Sequence, residues 1–480
     1  MRKSIFNIIL GALMLVACTG KIGGAATDTT EEGNSTTYYA NLFAYNIMDG
    51  YYLWRNEIES GLKNWPQNAD PVSKVRELRY KGADGKDIDK WTELMDDYSS
   101  FVSSVTGNGQ TFGFDFVLYY ANTSKTRLSC VVTFTYENSP AAEAGLRRGD
   151  VITSIDGEIL TPDNYESIFT EKIYNNPTTS VFGFLDGRSV SITAVKMYSN
   201  PVNVVKVLGD VGYIHFSAFT YDAARDLVNA FNEFKAHGVK ELVLDLRYNT
   251  GGYTSTGLVL GSMIAPISYV SEGAVFNKSV YNDNLAEFME ENDCFQETFS
   301  FTSGSKEVTL DAGEANLGLS RVWVITTGHS ASASESLICG LKPYMEVNLV
   351  GSTTYGKFCG GYLIKADDWF KAVKESDSGV SLNVADARKK TALWGIYVIA
   401  SRYADCNGVT LSMPSGIPAD YEAYDDLADG HELGDPEESM LAACLALIEG
   451  VPVTAAAAVK SAGQKEEVPL HKPGNCVLLW

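Results

Sequence analysis

Two short stretches of the sequence hold residue types that could do chemistry. The first is Asp245-Leu246-Arg247-Tyr248-Asn249-Thr250-Gly251-Gly252. Paired glycines let a backbone approach a reacting carbonyl and turn its N–H groups toward developing negative charge. The second is Ser330-Ala331-Ser332-Ala333-Ser334-Glu335. A serine at a helix N-terminus is a candidate nucleophile, because free N–H groups and the helix dipole there favour an oxyanion. Either stretch alone also reads as a plain structural turn. His329 lies nearby, but Gly328-His329-Ser330-Ala331-Ser332 is not G-x-S-x-G, and no matching acid accompanies it. The five histidines (215, 237, 329, 431 and 471) are scattered without ligand spacing, so neither a metal nor a cofactor is expected.

The elements around these stretches read as an α/β core. Gly212–Phe216 is a strand; Ala224, Leu227, Val228, Phe231 and Phe234 mark an amphipathic helix stopped by Gly238. Glu241–Arg247 follows as a buried-type strand, completing a βαβ unit. The glycine pair thus falls at a strand's C-terminal end, where open α/β sheets bind ligands. Val322–Thr326 is a further strand running into the serine-rich turn, with a helix to about Lys342. Val347–Val350 comes next, then a loop to Tyr355-Gly356-Lys357.

Residues 112–198 change character. Phe112–Leu118 alternates like a strand and Leu128–Phe134 is a second β-like run. Ser139-Pro140 opens a short helix closed by Gly145, and Gly149-Asp150 turns into a strand ending at an Asp156-Gly157 hairpin turn. This segment resembles the second half of a PDZ domain. The resemblance implies strand addition of extended C-terminal peptides, with Gly113-Phe114 as the carboxylate-binding turn; a PDZ fold that only packs against its neighbours is the alternative. Residues 38–110 read as a helical subdomain: Tyr39, Leu42, Phe43 and Ile47 recur at helix spacing, Asp70-Pro71 opens a second helix, and Lys90–Met95 reads as a further helical turn or two.

Taken together, the D-L-R-x-N-x-G-G strand end, the S-A-S-x-E turn and the later Gly356-Lys357 resemble the C-terminal processing (tail-specific) proteases, bacterial serine peptidases with a PDZ domain. Gly434-Asp435-Pro436 before the last helix adds to the likeness. The resemblance implies a ClpP/crotonase-like α/β core with Ser332 as nucleophile and Lys357 as general base. It also implies an oxyanion hole from the N–H of Ala333 and of Gly251 or Gly252. A free lysine is protonated at neutral pH, so this role needs desolvation, and the flanking Tyr355 and Phe358 fit that need. Glu335, one turn after Ser332, either orients Lys357 or serves the helix terminus. One departure stands out: many members carry Gln four residues after the lysine, and here that position is Gly361.

The chain opens with Met1-Arg2-Lys3, an apolar run Ile5–Val16, and Leu15-Val16-Ala17-Cys18. Such a run is too short to span a bilayer and reads as a secretory signal. Its end resembles a bacterial lipobox, implying cleavage before Cys18, lipidation of that thiol, and a place in the cell envelope on the periplasmic side of the outer membrane. The expected organisation is therefore signal 1–17, flexible tether 18–37, helical subdomain 38–110, PDZ domain 112–198, peptidase core 203–450 and a peripheral tail 451–480. Seven cysteines remain after Cys18, widely spaced, without a disulfide framework; a Cys339–Cys359 bridge is left open.

Over 480 residues, 38 Lys+Arg against 60 Asp+Glu give a net charge of −22. That argues against nucleic acid or electrostatic docking on an anionic membrane. The stretch Asp420–Glu438 holds nine Asp or Glu and no Lys or Arg, and reads as a solvated acidic loop. The leading expectation is a membrane-tethered endopeptidase acting on unfolded or C-terminally marked polypeptides through an acyl-enzyme. The rival is a peptide-binding pseudoprotease that only captures tails.

Overall fold

The computed structural model describes residues 35–451, apart from 67, 176, 301–303, 306–307, 310–312 and 376–381, together with 466–469 and 478–479. Residues 1–34, with the expected signal and Cys18, lie outside the described residues.

The first helix, Thr36–Tyr51, starts where the Ser35 hydroxyl accepts from Tyr38 N–H, so helix replaces tether two residues earlier than expected. The helix Pro71–Glu77 is opened by the Asp70 carboxylate, which accepts from Ser73 N–H. Lys90–Met95 is not helical: Glu93–Met95 is a strand, antiparallel to Gly395–Tyr397. A partner three hundred residues away overrides a weak local preference. Tyr39, Phe43, Ile47 and Tyr52 share one core with Trp369 and Ile396–Ala400 of the sheet below.

The PDZ segment is an antiparallel sheet in the order Phe114–Tyr120, Leu128–Thr135, Val151–Ile155, Thr179–Phe184, Ser189–Thr193. Ser139 caps the helix Pro140–Glu143 through Ala142 N–H. Asp156 and Gly157 both have positive φ (52° and 83°), as a tight two-residue hairpin turn demands.

The core sheet runs Val202–Leu208, Val211–Phe216, Glu241–Asp245, Arg321–Thr326, Glu346–Gly351, Tyr421–Glu422. Its first pair is antiparallel and the rest are parallel. Helices Ala223–Ala236, Thr254–Ile264 and Ala333–Leu341 cover one face, and Ser439–Ile448 covers the other. Such two-sided burial explains why these strands read as unbroken apolar runs rather than alternating ones. A second sheet, built on the long strand Gly395–Ala404 paired with Cys359–Lys365, closes the site from the N-terminal side.

Two carboxylates of the acidic stretch leave solvent, while Asp420, Glu422, Glu432 and Glu437 stay exposed. Asp425 and Glu438 enter a buried ion network with Arg247 and with Arg148 of the PDZ segment. The described part of the tail joins the rest of the chain: Tyr119 bridges Glu467 and Gly252–Tyr253 pairs with Leu478–Leu479. All six described cysteines are free, Cys339 and Cys359 among them.

Candidate active site

The serine-rich turn is stitched to the Asp245–Gly252 strand end by two of its three serines. Ser330 Oγ donates to Leu246 O at 2.7 Å and Ser334 Oγ to Asn249 O at 2.9 Å. Ala331 N–H also reaches Asn249 O at 3.0 Å. Ser332 is the exception. It is fully buried, its φ is +59°, and its Oγ has no hydrogen-bond partner among the described residues. A non-glycine residue in that conformation is strained, and a buried unpaired hydroxyl is costly. Both features suit a nucleophile presented at the N-terminus of the helix Ala333–Leu341. Ala333 is the first residue of that helix, where N–H groups lack intrahelical acceptors.

Glu335 ties the two candidate groups together through their backbones. Its carboxylate accepts from Ser332 N–H (2.8 Å), Lys357 N–H (2.9 Å), Gly356 N–H (2.7 Å) and Thr354 Oγ1 (2.6 Å). Burial pushes this carboxyl above its ordinary range, with those four bonds opposing the shift. Tyr403 adds a second clamp, its hydroxyl donating to Ser332 O at 3.3 Å and Lys357 O at 3.1 Å.

Lys357 is fully buried. Its Nζ lies 4.8 Å from the Trp91 ring centroid and donates to Tyr397 O–H at 3.4 Å. Among the described residues it makes no hydrogen bond to Ser332 Oγ. The aromatic walls are therefore not the sequence neighbours. Phe358 packs into the central core against Tyr403, and Tyr355 touches Trp91 edge-on instead. A glutamine could not stand at position 361, since a Cβ there would meet Val398 O at 2.2 Å. Tyr397 is the group that meets the lysine instead.

The glycine pair divides its duties. Gly251 N–H donates to Asn249 Oδ1 at 2.9 Å. Gly252 has φ +140°, and a Cβ there would meet Phe219 O at 2.3 Å, so only glycine fits. In the PDZ segment, Gly113 N–H is likewise engaged, with Thr111 Oγ1 at 3.0 Å, while Phe114 lines a cavity of about 420 Å³. That cavity lies between the PDZ edge strand and the core, where Tyr248, Thr250 and His329 form its far wall. His329 pairs with Glu467 at 3.0 Å.

Sequence reasoning missed Trp91, Thr354, Tyr397 and Tyr403. Trp91 is held by Asp89, whose carboxylate accepts from Trp91 and Thr92 N–H at 2.9 and 3.0 Å. Nothing local marks these residues; only the paired strand Gly395–Ala404 brings the two tyrosines to the site.

The chain is similar to known proteins. Residues 210–405 match the model of peptidase family S41, and residues 131–168 match a PDZ domain model. A probable CtpA-like serine protease of Staphylococcus aureus is 24% identical over 365 residues, covering 74% of this chain and 64% of that protein. A Staphylococcus haemolyticus counterpart is 23% identical, covering 73% of this chain and 62% of that protein. The chain thus spans less than two thirds of the curated relatives it matches. A putative S41 protease structure from Bacteroides fragilis superposes with a TM-score of 0.60 at 21% identity, over 85% of this chain and 97% of that one.

Proposed function

We propose that this chain, whose residues 210–405 match the model of peptidase family S41, is a serine endopeptidase cleaving extended polypeptide segments. One observation carries this reading: Ser332 Oγ is buried, strained and unpartnered at a helix N-terminus, on a backbone that Glu335 ties to Lys357. Ser332 Oγ attacks the scissile carbonyl and passes its proton to Lys357 Nζ. The oxyanion accepts from Ala333 N–H and from Gly252, since Gly251 N–H is committed to Asn249. Lys357 then protonates the leaving amine, and water hydrolyses the acyl-enzyme. Lys357 Nζ is held over the Trp91 and Tyr397 rings, 4.8 and 5.5 Å from their centroids. The amine must swing from the Tyr397 hydroxyl to Ser332 Oγ when substrate arrives. The PDZ domain delivers the substrate segment. The anchor is a lipid on Cys18 in the cell envelope, tested by whether labelled acyl chains fail to incorporate in Cys18→Ser.

A second reading has one observation in its favour. The Lys357–Tyr397 contact, with no bond to Ser332, also fits a pseudoprotease that only captures peptides. Cleavage of a denatured protein separates the two. Ser332→Ala and Lys357→Ala are each expected to lower kcat/KM by about a thousandfold or more. A wild type that cuts nothing would favour capture alone.

A further inference from the structure

One stretch of this chain lies along the path a peptide would take. Glu467 stands opposite Tyr119 on the PDZ edge strand, antiparallel to it. Val468 N–H donates to Leu118 O at 2.8 Å, and Tyr120 N–H donates to Glu466 O at 3.0 Å. Val468 is buried in the PDZ core beside Phe116, Leu118, Ile168 and Phe169. Charge follows the same register: Lys125 Nζ pairs with Glu466 at 2.5 Å, and His329 Nε2 with Glu467 at 3.0 Å. Tyr165 O–H donates to Pro469 O at 3.3 Å. Further on, Leu478–Leu479 forms a parallel pair with Gly252–Tyr253, and Leu479 also pairs with Gly361 of the second sheet. Residues 466–469 therefore fill strand-pairing positions on the PDZ edge, and 478–479 fill them beside Gly252. Glu467 and Val468 also form part of the wall of the cavity between the two.

We propose that residues 466–469, on the PDZ edge, and 478–479, beside Gly252, occupy the substrate path in cis, so that a substrate must displace them to be cut. The site that takes them recognises an internal acidic-acidic-aliphatic segment by strand addition, with Lys125 and His329 reading the acids and the PDZ core taking the aliphatic residue. Tethering gives the occupant a high effective concentration, so it competes without being tight. The part concerning cleavage rests on the peptidase reading; the part concerning binding does not.

The test uses the full chain in a Ser332→Ala background and a fluorescent synthetic peptide of residues 464–470, followed by anisotropy. Val468→Asp, which expels the buried anchor, is expected to raise the affinity for the added peptide by about tenfold or more. Glu467→Lys, at an exposed position that places no demand on folding, shifts it in the same direction by less. With Ser332 restored, both variants are expected to cleave a denatured protein with a lower KM and unchanged kcat. Equal peptide affinity in all forms overturns the proposal, even where wild type cleaves. Raised affinity in the variants sustains it, even where none cleaves and the peptidase reading falls.

Discussion

Three serines stand within five residues of one turn, and the structure gives them different work. Ser330 and Ser334 hold the turn to the strand end, whereas Ser332 holds nothing with its hydroxyl. Their mutational signatures should therefore be opposite. Ser332→Gly relieves a positive φ and a buried orphan hydroxyl, and should raise stability by about 1 kcal/mol while abolishing activity. Ser334→Ala leaves Asn249 O short of one donor and should lower stability by about 1 kcal/mol or more. Thermal unfolding of both variants checks this; an equal loss in the two would contradict the division of labour. In the sequence, Ser332 stands out through the resemblance of S-A-S-x-E to a family pattern; its burial and positive φ are visible only in the structure. The partners of Lys357 were not legible. Trp91 and Tyr397 are 266 and 40 positions away, and no local pattern announces an aromatic wall.

At the scale of elements, the strands and helices of the core were readable because burial on both faces leaves strong apolar runs. Short segments were not, as Glu93–Met95 shows: its conformation is set by the strand it joins. The strand Val211–Phe216 carries a feature with a thermodynamic consequence. His215 is fully buried between Phe134 and Tyr248, with no hydrogen-bond partner for either ring nitrogen among the described residues. Burial, with Arg247 and Arg148 adding to it against Asp245, pushes its pKa from 6.5 down to about 4. The folded value lies below the unfolded one, so the contribution to stability is complete above 6.5 and is lost as pH falls toward 4. On the order of 3 kcal/mol disappears over that window. Denaturant titrations at several pH values should show this slope in wild type, and His215→Leu should flatten it. An unchanged slope in the variant would place the acid sensitivity elsewhere.

At the scale of the whole molecule, charge proved the least legible property. Asp420–Glu438 looks like solvated acid when its neighbours are only sequence neighbours. In the fold, Asp425 and Glu438 meet Arg247 from the core strand, and Asp425 also meets Arg148 from the PDZ segment and the Tyr248 hydroxyl. The two arginines beside Asp425 hold its carboxyl well below the usual range. The PDZ segment and the α/β core are thus joined through buried ions, whose members protect one another from being unpaired. Removing one should be expensive: Arg148→Ala is expected to destabilise the chain by about 3–5 kcal/mol, read as a fall in Tm. A Tm unchanged within error would mean that the junction is not carried by this network. The most direct test of the account is to catch the covalent intermediate. Wild-type protein is mixed with a denatured polypeptide, quenched in acid within the first turnover, and its peptides are mapped by mass spectrometry. An acyl adduct on Ser332, absent in Lys357→Ala, is the predicted result; cleavage with no adduct, or with the adduct on another residue, would contradict it.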